Sequence, residues 1–228
     1  LSIRIATYNI HGAVGGDGRT DRERIIGVVK ELDVDVLALQ EVRYRPEQRG
    51  HLLDVLGDVM EAEVIEGVTL RNERGHYGNA LLSRLPIREA RRFDISMGKR
   101  EPRGAIDAEL ALDGKAIQIV ATHLGLRPVE RRRQIRQLLA LLEPSDATAK
   151  VLLGDLNEWF LWGRPNRWLE RVFERTPAPA TFPARRPLLA LDRLWAAPRS
   201  SIGRIYTHRS ELAREASDHL PLVGELCI

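Results

Sequence analysis

The run Val36-Leu37-Ala38-Leu39 is apolar at every position, and no other feature constrains the fold as tightly. A strand with one face in water alternates apolar with polar side chains, whereas one that does not alternate is covered on both faces. Val151-Leu152-Leu153 repeats the pattern. Stacked sheets with helices outside them meet that demand; a sheet with one wet face does not.

The remaining segments fill in this frame. Residues 2–10 alternate as a strand and lead into a loop with Gly12, Gly15, Gly16 and Gly18, read as a mobile rim. Asp21 is placed to cap a helix whose apolar face is Ile25, Val28, Val29 and Leu32. A short helix is expected around Leu52–Leu56. Strands are expected at Ala62–Glu66, Gly78–Ser83, Ile87–Ile95, Gly104–Leu112 and Ala116–Thr122. Asp113-Gly114 between the last two marks a tight hairpin. Val129 to Leu142 reads as a basic amphipathic helix, with Arg131, Arg132, Arg133 and Arg136 on a solvated face. Arg167–Phe173 reads as helix, Thr176 to Pro187 as a proline-rich loop, and Arg193–Ala196 and Pro221–Leu226 as closing strands. Only about 40 residues follow the proline-rich loop, near the lower limit of independent folding. Residues 1–228 are therefore expected to form one domain of mixed α and β structure.

Composition excludes some classes. Thirty-five Lys and Arg against 32 Asp and Glu leave +3, too mild a surplus to name nucleic acid as a partner. Cys227 stands alone, which rules out a disulfide within the chain and a Cys-rich zinc site. There is no Asn-x-Ser/Thr acceptor, and no apolar run approaches the ~18 residues of a membrane-spanning helix. A cytoplasmic location is the expectation, although a chain beginning at Leu1 leaves a removed leader open.

The ends of the apolar strands are unusual. The first ends in Asn9-Ile10-His11, the run Val36–Leu39 in Gln40-Glu41, and Ile117–Ala121 in Thr122-His123. Val151–Leu153 ends in Gly154-Asp155-Leu156-Asn157, Asp192 enters a strand, and Ser217-Asp218-His219 precedes the last one. One acid at a strand end is ordinarily a loop residue or a helix cap. Six such endings, rich in Asp, Asn, Glu and His, predict one convergent site at a common sheet edge.

The ordered set Thr7-Tyr8-Asn9, Leu39-Gln40-Glu41, Gly78-Asn79, Thr122-His123-Leu124, Gly154-Asp155-Leu156-Asn157, Leu191-Asp192 and Ser217-Asp218-His219 resembles the endonuclease/exonuclease/phosphatase superfamily. The resemblance runs from residue 2 to residue 226. It implies the deoxyribonuclease I-like fold, a four-layered αββα sandwich of two mixed sheets flanked by helices. It also implies metal-dependent cleavage of a phosphate ester at one end of the sandwich.

The residue types suit that chemistry. Phosphate-ester hydrolysis needs a hard cation on the phosphoryl oxygens, an activated water and help for the leaving oxygen. Glu41 is the strongest ligand candidate for Mg2+, with Mn2+ as a substitute, since magnesium takes one or two protein carboxylates and keeps much of its water. Asn9 can hold a metal-bound water or the phosphate, and Asp218 is the third residue assigned to the metal. Asp155 and Asn157, two apart, point to one side of an extended segment, where the acid can activate water and the amide can hold phosphate. An Asx-type turn is the plainer alternative for that pair. By the resemblance His219 pairs with Asp192, which keeps it charged, and His123 lies near the leaving group with Asn79 as its orienting neighbour. Neither histidine suits magnesium. Arg103 is assigned to phosphate binding, with an ion pair to Glu101 as the alternative, and His11 stands where some relatives carry Asp beside the metal. His51, His76 and His208 are read as structural.

Three of the four tryptophans fall in the segment from Glu158 to Trp168. Trp159 and Trp162 either pack beneath the site or stand at its rim, flanked by Arg164 and Arg167. At a rim they suit a phospholipid interface or stacking on single-stranded bases. The function expected is divalent-metal-dependent hydrolysis of a phosphodiester, in a lipid headgroup or a small phosphate ester. A magnesium-dependent nuclease is the alternative within the enzyme class, and a non-catalytic binding module on the same fold is the alternative outside it. Nucleic acid and a membrane surface stay open as partners, and no obligate protein partner is inferred.

Overall fold

The computed structural model describes residues 2–142 and 146–228. In chain order it contains β1 (Ser2–Asn9), α1 (Arg22–Leu32), β2 (Val36–Tyr44), α2 (Leu52–Met60), β3 (Glu63–Asn72), β4 (Gly75–Ser83), β5 (Ile87–Asp94) and β6 (Gly104–Leu112). There follow β7 (Lys115–His123), α3 (Pro128–Leu142), β8 (Ala149–Asp155), α4 (Arg164–Phe173), β9 (Asp192–Ala197), β10 (Ile202–Thr207), α5 (Glu211–Ala216) and β11 (Leu222–Cys227). One sheet has the order β10-β11-β1-β2-β4-β3 and the other β5-β6-β7-β8-β9. Both are mixed: β1 with β2 and β7 with β8 are parallel, and the remaining pairs are antiparallel.

The unbroken apolar runs have the predicted cause. In β2, Val36 and Ala38 face the core between the sheets, with Ile5, Leu81, Ile106, Ile119, Val151 and Leu194. Leu37 and Leu39 point the other way, into a core with Ile25 and Val29 of α1, Leu53 and Leu56 of α2 and Ala213 of α5. On the far side, Val120, Leu152 and Trp195 pack under Ile135 and Leu138 of α3 and Leu169 and Phe173 of α4. Helices, sheet, sheet and helices make the four-layered α+β sandwich, because each central strand has two apolar faces to bury.

Local signals held where the chemistry was local. Asp21 accepts from the Glu23 and Arg24 amides and caps α1. Asp113 (φ 47°) and Gly114 (φ 77°) make the tight turn between β6 and β7. His51 caps α2, His76 meets Tyr44 Oη, and His208 pairs with Glu31 at 2.7 Å, all structural roles. The glycine loop, expected to be a mobile rim, is tied down by a bridge between Val14 and Thr20 and by the Gly16 amide on the Glu215 carbonyl. α4 starts at Arg164, earlier than expected, with a proline in its first turn. Strand β10 and helix α5 had no counterpart in the sequence expectation. β10 is a short edge strand with little alternation, and α5 is a six-residue helix capped by Ser210.

Candidate active site

Strand pairing collects the polar endings. Parallel β1 and β2 set Asn9 beside Gln40, and parallel β7 and β8 set His123 beside Asp155. Antiparallel β8 and β9 put Asp155 opposite Asp192, so His123, Asp155 and Asp192 form one row across three strands. Across the sandwich Asn9 Nδ2 donates to Asp155 Oδ2 at 3.1 Å and to Glu41 Oε1 at 3.0 Å, joining the two sheets. Glu41 reaches this point through an irregularity in β2, where the register with β4 shifts between Leu39 and Val42. Its φ is 57°, a left-handed conformation that costs a non-glycine residue roughly 1–2 kcal/mol. Such strain is a recurrent mark of functional sites. Gly154 has φ 146°, and a Cβ there would lie 1.9 Å from the Thr122 carbonyl oxygen. The absence of a side chain lets β7 and β8 close up directly beneath Asp155.

Asn157 is not extended. Its φ is 51°, and its amide donates to Asp155 Oδ1 at 2.9 Å, which is the Asx-type turn. The turn sends Asn157 Nδ2 to the Leu124 carbonyl at 2.9 Å and to within 3.0 Å of His123 Nε2.

The two histidines are driven to opposite charge states. His219 Nδ1 lies 2.7 Å from Asp192 Oδ2, with both side chains buried. Burial alone favours the neutral ring, but the Asp192 and Asp155 carboxylates, aided by Asp218, overcome it and push the pKa up to about 10. Nε2 stands 3.8 Å from Asp155 Oδ2, too far for a hydrogen bond, so that N–H is available to another acceptor. His123 is the reverse: burial, opposed by Asp155 and reinforced by Arg103, lowers its pKa to about 3. Arg103 Nη1 approaches Nδ1 at 3.1 Å, and a guanidinium only donates. With Asn157 Nδ2 at the other nitrogen, a doubly protonated ring would face a donor on each side.

Arg103 corrects the expected orientation of His123. Asn79 Nδ2 donates to the Gly104 carbonyl at 3.0 Å, while the guanidinium meets the imidazole. Arg103 is buried and also forms the alternative ion pair, 3.0 Å from exposed Glu101.

Two groupings bear on a metal. Asp155, Asp192 and His219 bring ligand atoms within 4.8 Å of one another and can hold a divalent cation when the ring is neutral. With the ring charged, however, Nε2 offers a proton in place of a lone pair, and Asp192 Oδ2 already accepts from His219 and from Thr181 Oγ1 at 2.6 Å. The carboxylate oxygens of Glu41 and Asp155, bridged by Asn9 Nδ2, fit a hard cation better, while Asn9 Oδ1 is taken by the His11 backbone amide. Asp218, grouped with Glu41 and Asn9 by the sequence, is half-exposed, accepts from Ser217 Oγ and lies 3.8 Å from His11 Nδ1. His11 is joined to the site through its backbone amide, which donates to Asn9 Oδ1 at 3.0 Å.

Several contributors had no sequence signal. Thr181, in the proline-rich loop, is fully buried and orients Asp192. Phe182 packs its ring 4.9 Å from that of His219. Arg131 is buried against Glu158 at 3.1 Å, not solvated with its neighbours as the helix pattern suggested. Trp159 and Trp162 stand outside the hydrogen-bonded cluster, 59% and 72% exposed, so they do not pack as core beneath the site.

Acids, amides and histidines thus gather at one end of a four-layered sandwich, and comparison with known proteins gives this arrangement a family. The model of the endonuclease/exonuclease/phosphatase family matches residues 6–219, and the chain belongs to that family. It is 31% identical to the uncharacterized protein YbhP of Escherichia coli K12, over 99% of this chain and 96% of that one. The fold is similar to a family structure from Bacteroides vulgatus (TM-score 0.80, 18% identity, 99% of this chain and 98% of that one). It is also similar to a mannosyl-6-phosphatase from Bacteroides thetaiotaomicron (TM-score 0.75, 18% identity, 99% and 100% covered). Proteins of this family are generally hydrolases of phosphate esters, nucleic acids among them, and typically use divalent metals.

Proposed function

We propose that this chain is a divalent-metal-dependent phosphodiesterase acting on a lipid headgroup or a small phosphate ester. The observation that carries the reading is the meeting at Asp155 of Asn9 from one sheet, Asn157 from its own loop, and both histidines. Asp155 is the group placed to take a proton from the attacking water, its orientation held by the Asn9 amide and the Asn157 N–H. His219, charged and held by Asp192, donates through Nε2 to a phosphoryl oxygen. His123 stays neutral and fixes the Asp155–Asn157 loop, with Arg103 as the nearby cation. Glu41 and Asp155, oriented by the Asn9 Nδ2 donor between them, carry the oxygens that would hold Mg2+ or Mn2+, which would supply Lewis-acid polarisation of the phosphoryl oxygens.

Local charge supports a diester over a monoester. Glu41, Asp155, Asp192 and Asp218 outnumber His219 and Arg103, and Arg103 is already shared with Glu101. With Arg103 neutralised by Glu101, the other four carboxylates and charged His219 keep a net negative charge even after one divalent cation, which accommodates a monoanionic diester more readily than a dianionic monoester.

Turnover of bis(p-nitrophenyl) phosphate, p-nitrophenyl phosphate and single-stranded DNA with Mg2+, Mn2+ and chelator tests the proposal. Diester hydrolysis should need the cation, and Asp155→Asn or Glu41→Gln should each lower it by roughly a hundredfold or more. Chelator-resistant turnover, or preferential cleavage of DNA, would overturn it.

A further inference from the structure

The loops that leave the site end in an apolar, arginine-flanked surface that the proposed chemistry does not use. Leu124 to Arg127 follows His123, and Glu158 to Gly163 follows Asn157, so both loops continue strands that carry site residues. The second presents Trp159, Phe160, Leu161 and Trp162, between 41% and 72% exposed, and the first adds Leu126 at 66% with Val129 behind it. Buried large rings would need no explanation, but four consecutive exposed apolar side chains do.

The surface is built, not frayed. Arg131, itself buried, donates through Nη1 to the Leu126 carbonyl and through Nε to Glu158 Oε2. Glu158 Oε1 in turn accepts from the Phe160 amide, and Asn166 Nδ2 donates to the Phe160 carbonyl at 3.1 Å. One buried ion pair therefore holds both loops side by side, and the rings of Phe160 and Trp162 pack at 5.3 Å.

Charge around the patch is predominantly positive, with Glu170 of α4 partly exposed and facing Arg175 at 3.9 Å. Among the described residues of α3, α4 and the two loops leading into them, every other exposed charged side chain is an arginine: Arg127, Arg133, Arg136, Arg164, Arg167 and Arg171. Glu130 and Glu158 are buried in ion pairs with Arg100 and Arg131. Tryptophan prefers the headgroup level of a bilayer, and exposed arginines beside it attract anionic lipid.

The geometry points to an anionic phospholipid bilayer as the occupant: the Trp159–Trp162 tip inserts at headgroup level, and the surrounding arginines bind the lipid phosphates, presenting the site at the membrane surface. This rests on the phosphodiesterase reading only for what is then hydrolysed. Docking itself is independent of turnover.

The test is vesicle co-sedimentation with tryptophan emission, using phosphatidylcholine vesicles with and without phosphatidylglycerol. Wild type and Asp155→Asn should both bind the phosphatidylglycerol vesicles, with blue-shifted emission, and bind neutral vesicles far less. Trp159→Ser with Trp162→Ser should weaken binding by about tenfold or more. Arg164→Gln and Arg167→Gln should each cost about fivefold, an effect that fades with salt. Circular dichroism and thermal melting verify that these surface variants stay folded. Absence of wild-type binding, or binding indifferent to these changes, would overturn the proposal. So would loss of affinity for a single-stranded oligonucleotide in place of vesicles. If Asp155→Asn binds vesicles while the wild type hydrolyses no diester, the docking surface stands and the proposed reaction falls.

Discussion

His219 Nδ1 and Asp192 Oδ2 lie 2.7 Å apart in the buried row that Thr181 completes. Because this pairing raises the pKa of His219 from 6.5 to about 10, the folded state keeps a proton that the unfolded state releases between those values. The stability it contributes is fully present below about pH 6.5 and is lost as pH rises through about 10. With Asp192→Asn, the His219 ring protons in the metal-free protein should titrate at markedly lower pH by NMR. The alkaline limb of the rate profile should follow. A titration that stays in place would show that Asp192 is not what charges the ring.

His123 has the opposite sign. Its pKa falls from 6.5 to about 3, so it supports the fold fully above 6.5 and progressively less as pH drops towards 3. Replacing it with glutamine should remove part of the acid-side loss in a plot of melting temperature against pH. Arg103→Gln should raise the titration point of His123, while burial, the larger cause, still keeps it below the ordinary value. An unchanged acid limb in His123→Gln would mean that other groups carry the acid sensitivity.

Gly154→Ala should be among the most damaging small substitutions in the chain. The new methyl group would meet the Thr122 carbonyl oxygen at 1.9 Å in a conformation already at φ 146°. We expect a loss on the order of 4 kcal/mol or more in denaturant unfolding. Gly18→Ala is the control: its φ is 76°, but nothing lies within 4 Å, so only the left-handed penalty of roughly 1 kcal/mol applies. Similar costs at the two positions would show that the close approach of β7 and β8 is not what Gly154 serves.

The Arg131–Glu158 pair should behave as a buried ion pair. Both side chains are 4% exposed, so Arg131→Met or Glu158→Leu alone leaves an unpaired buried charge and should cost about 3–5 kcal/mol. The double substitution should recover much of that loss in chemical denaturation. Additive losses would mean that the bonds from Arg131 to the loop backbone dominate over the pairing.

The sequence by itself determined which strands are central and which residues end them. An apolar run with no polar alternation has to be covered twice, and an Asn, Glu, His or Asp at its end has no role in a core. That made stacked sheets under helices and the convergent edge legible from Val36–Leu39, Val151–Leu153 and their endings, while the four-layered order came from the family resemblance. Local chemistry was equally readable at Asp21 and Asp113-Gly114, where the residues that fix the geometry are neighbours in the chain. Partner choice was not. His123 and His219 both lie near strand ends and close to acids, yet one is held neutral by burial, reinforced by Arg103 twenty residues away, and the other charged by Asp192, twenty-seven away. Thr181 lay in a loop whose composition signals only turns, and Arg131 in a run of four basic positions whose burial depends on Glu158 across a neighbouring loop. Charge state, orientation and burial depend on what stands across a few ångströms of space, and only the tertiary structure decides that.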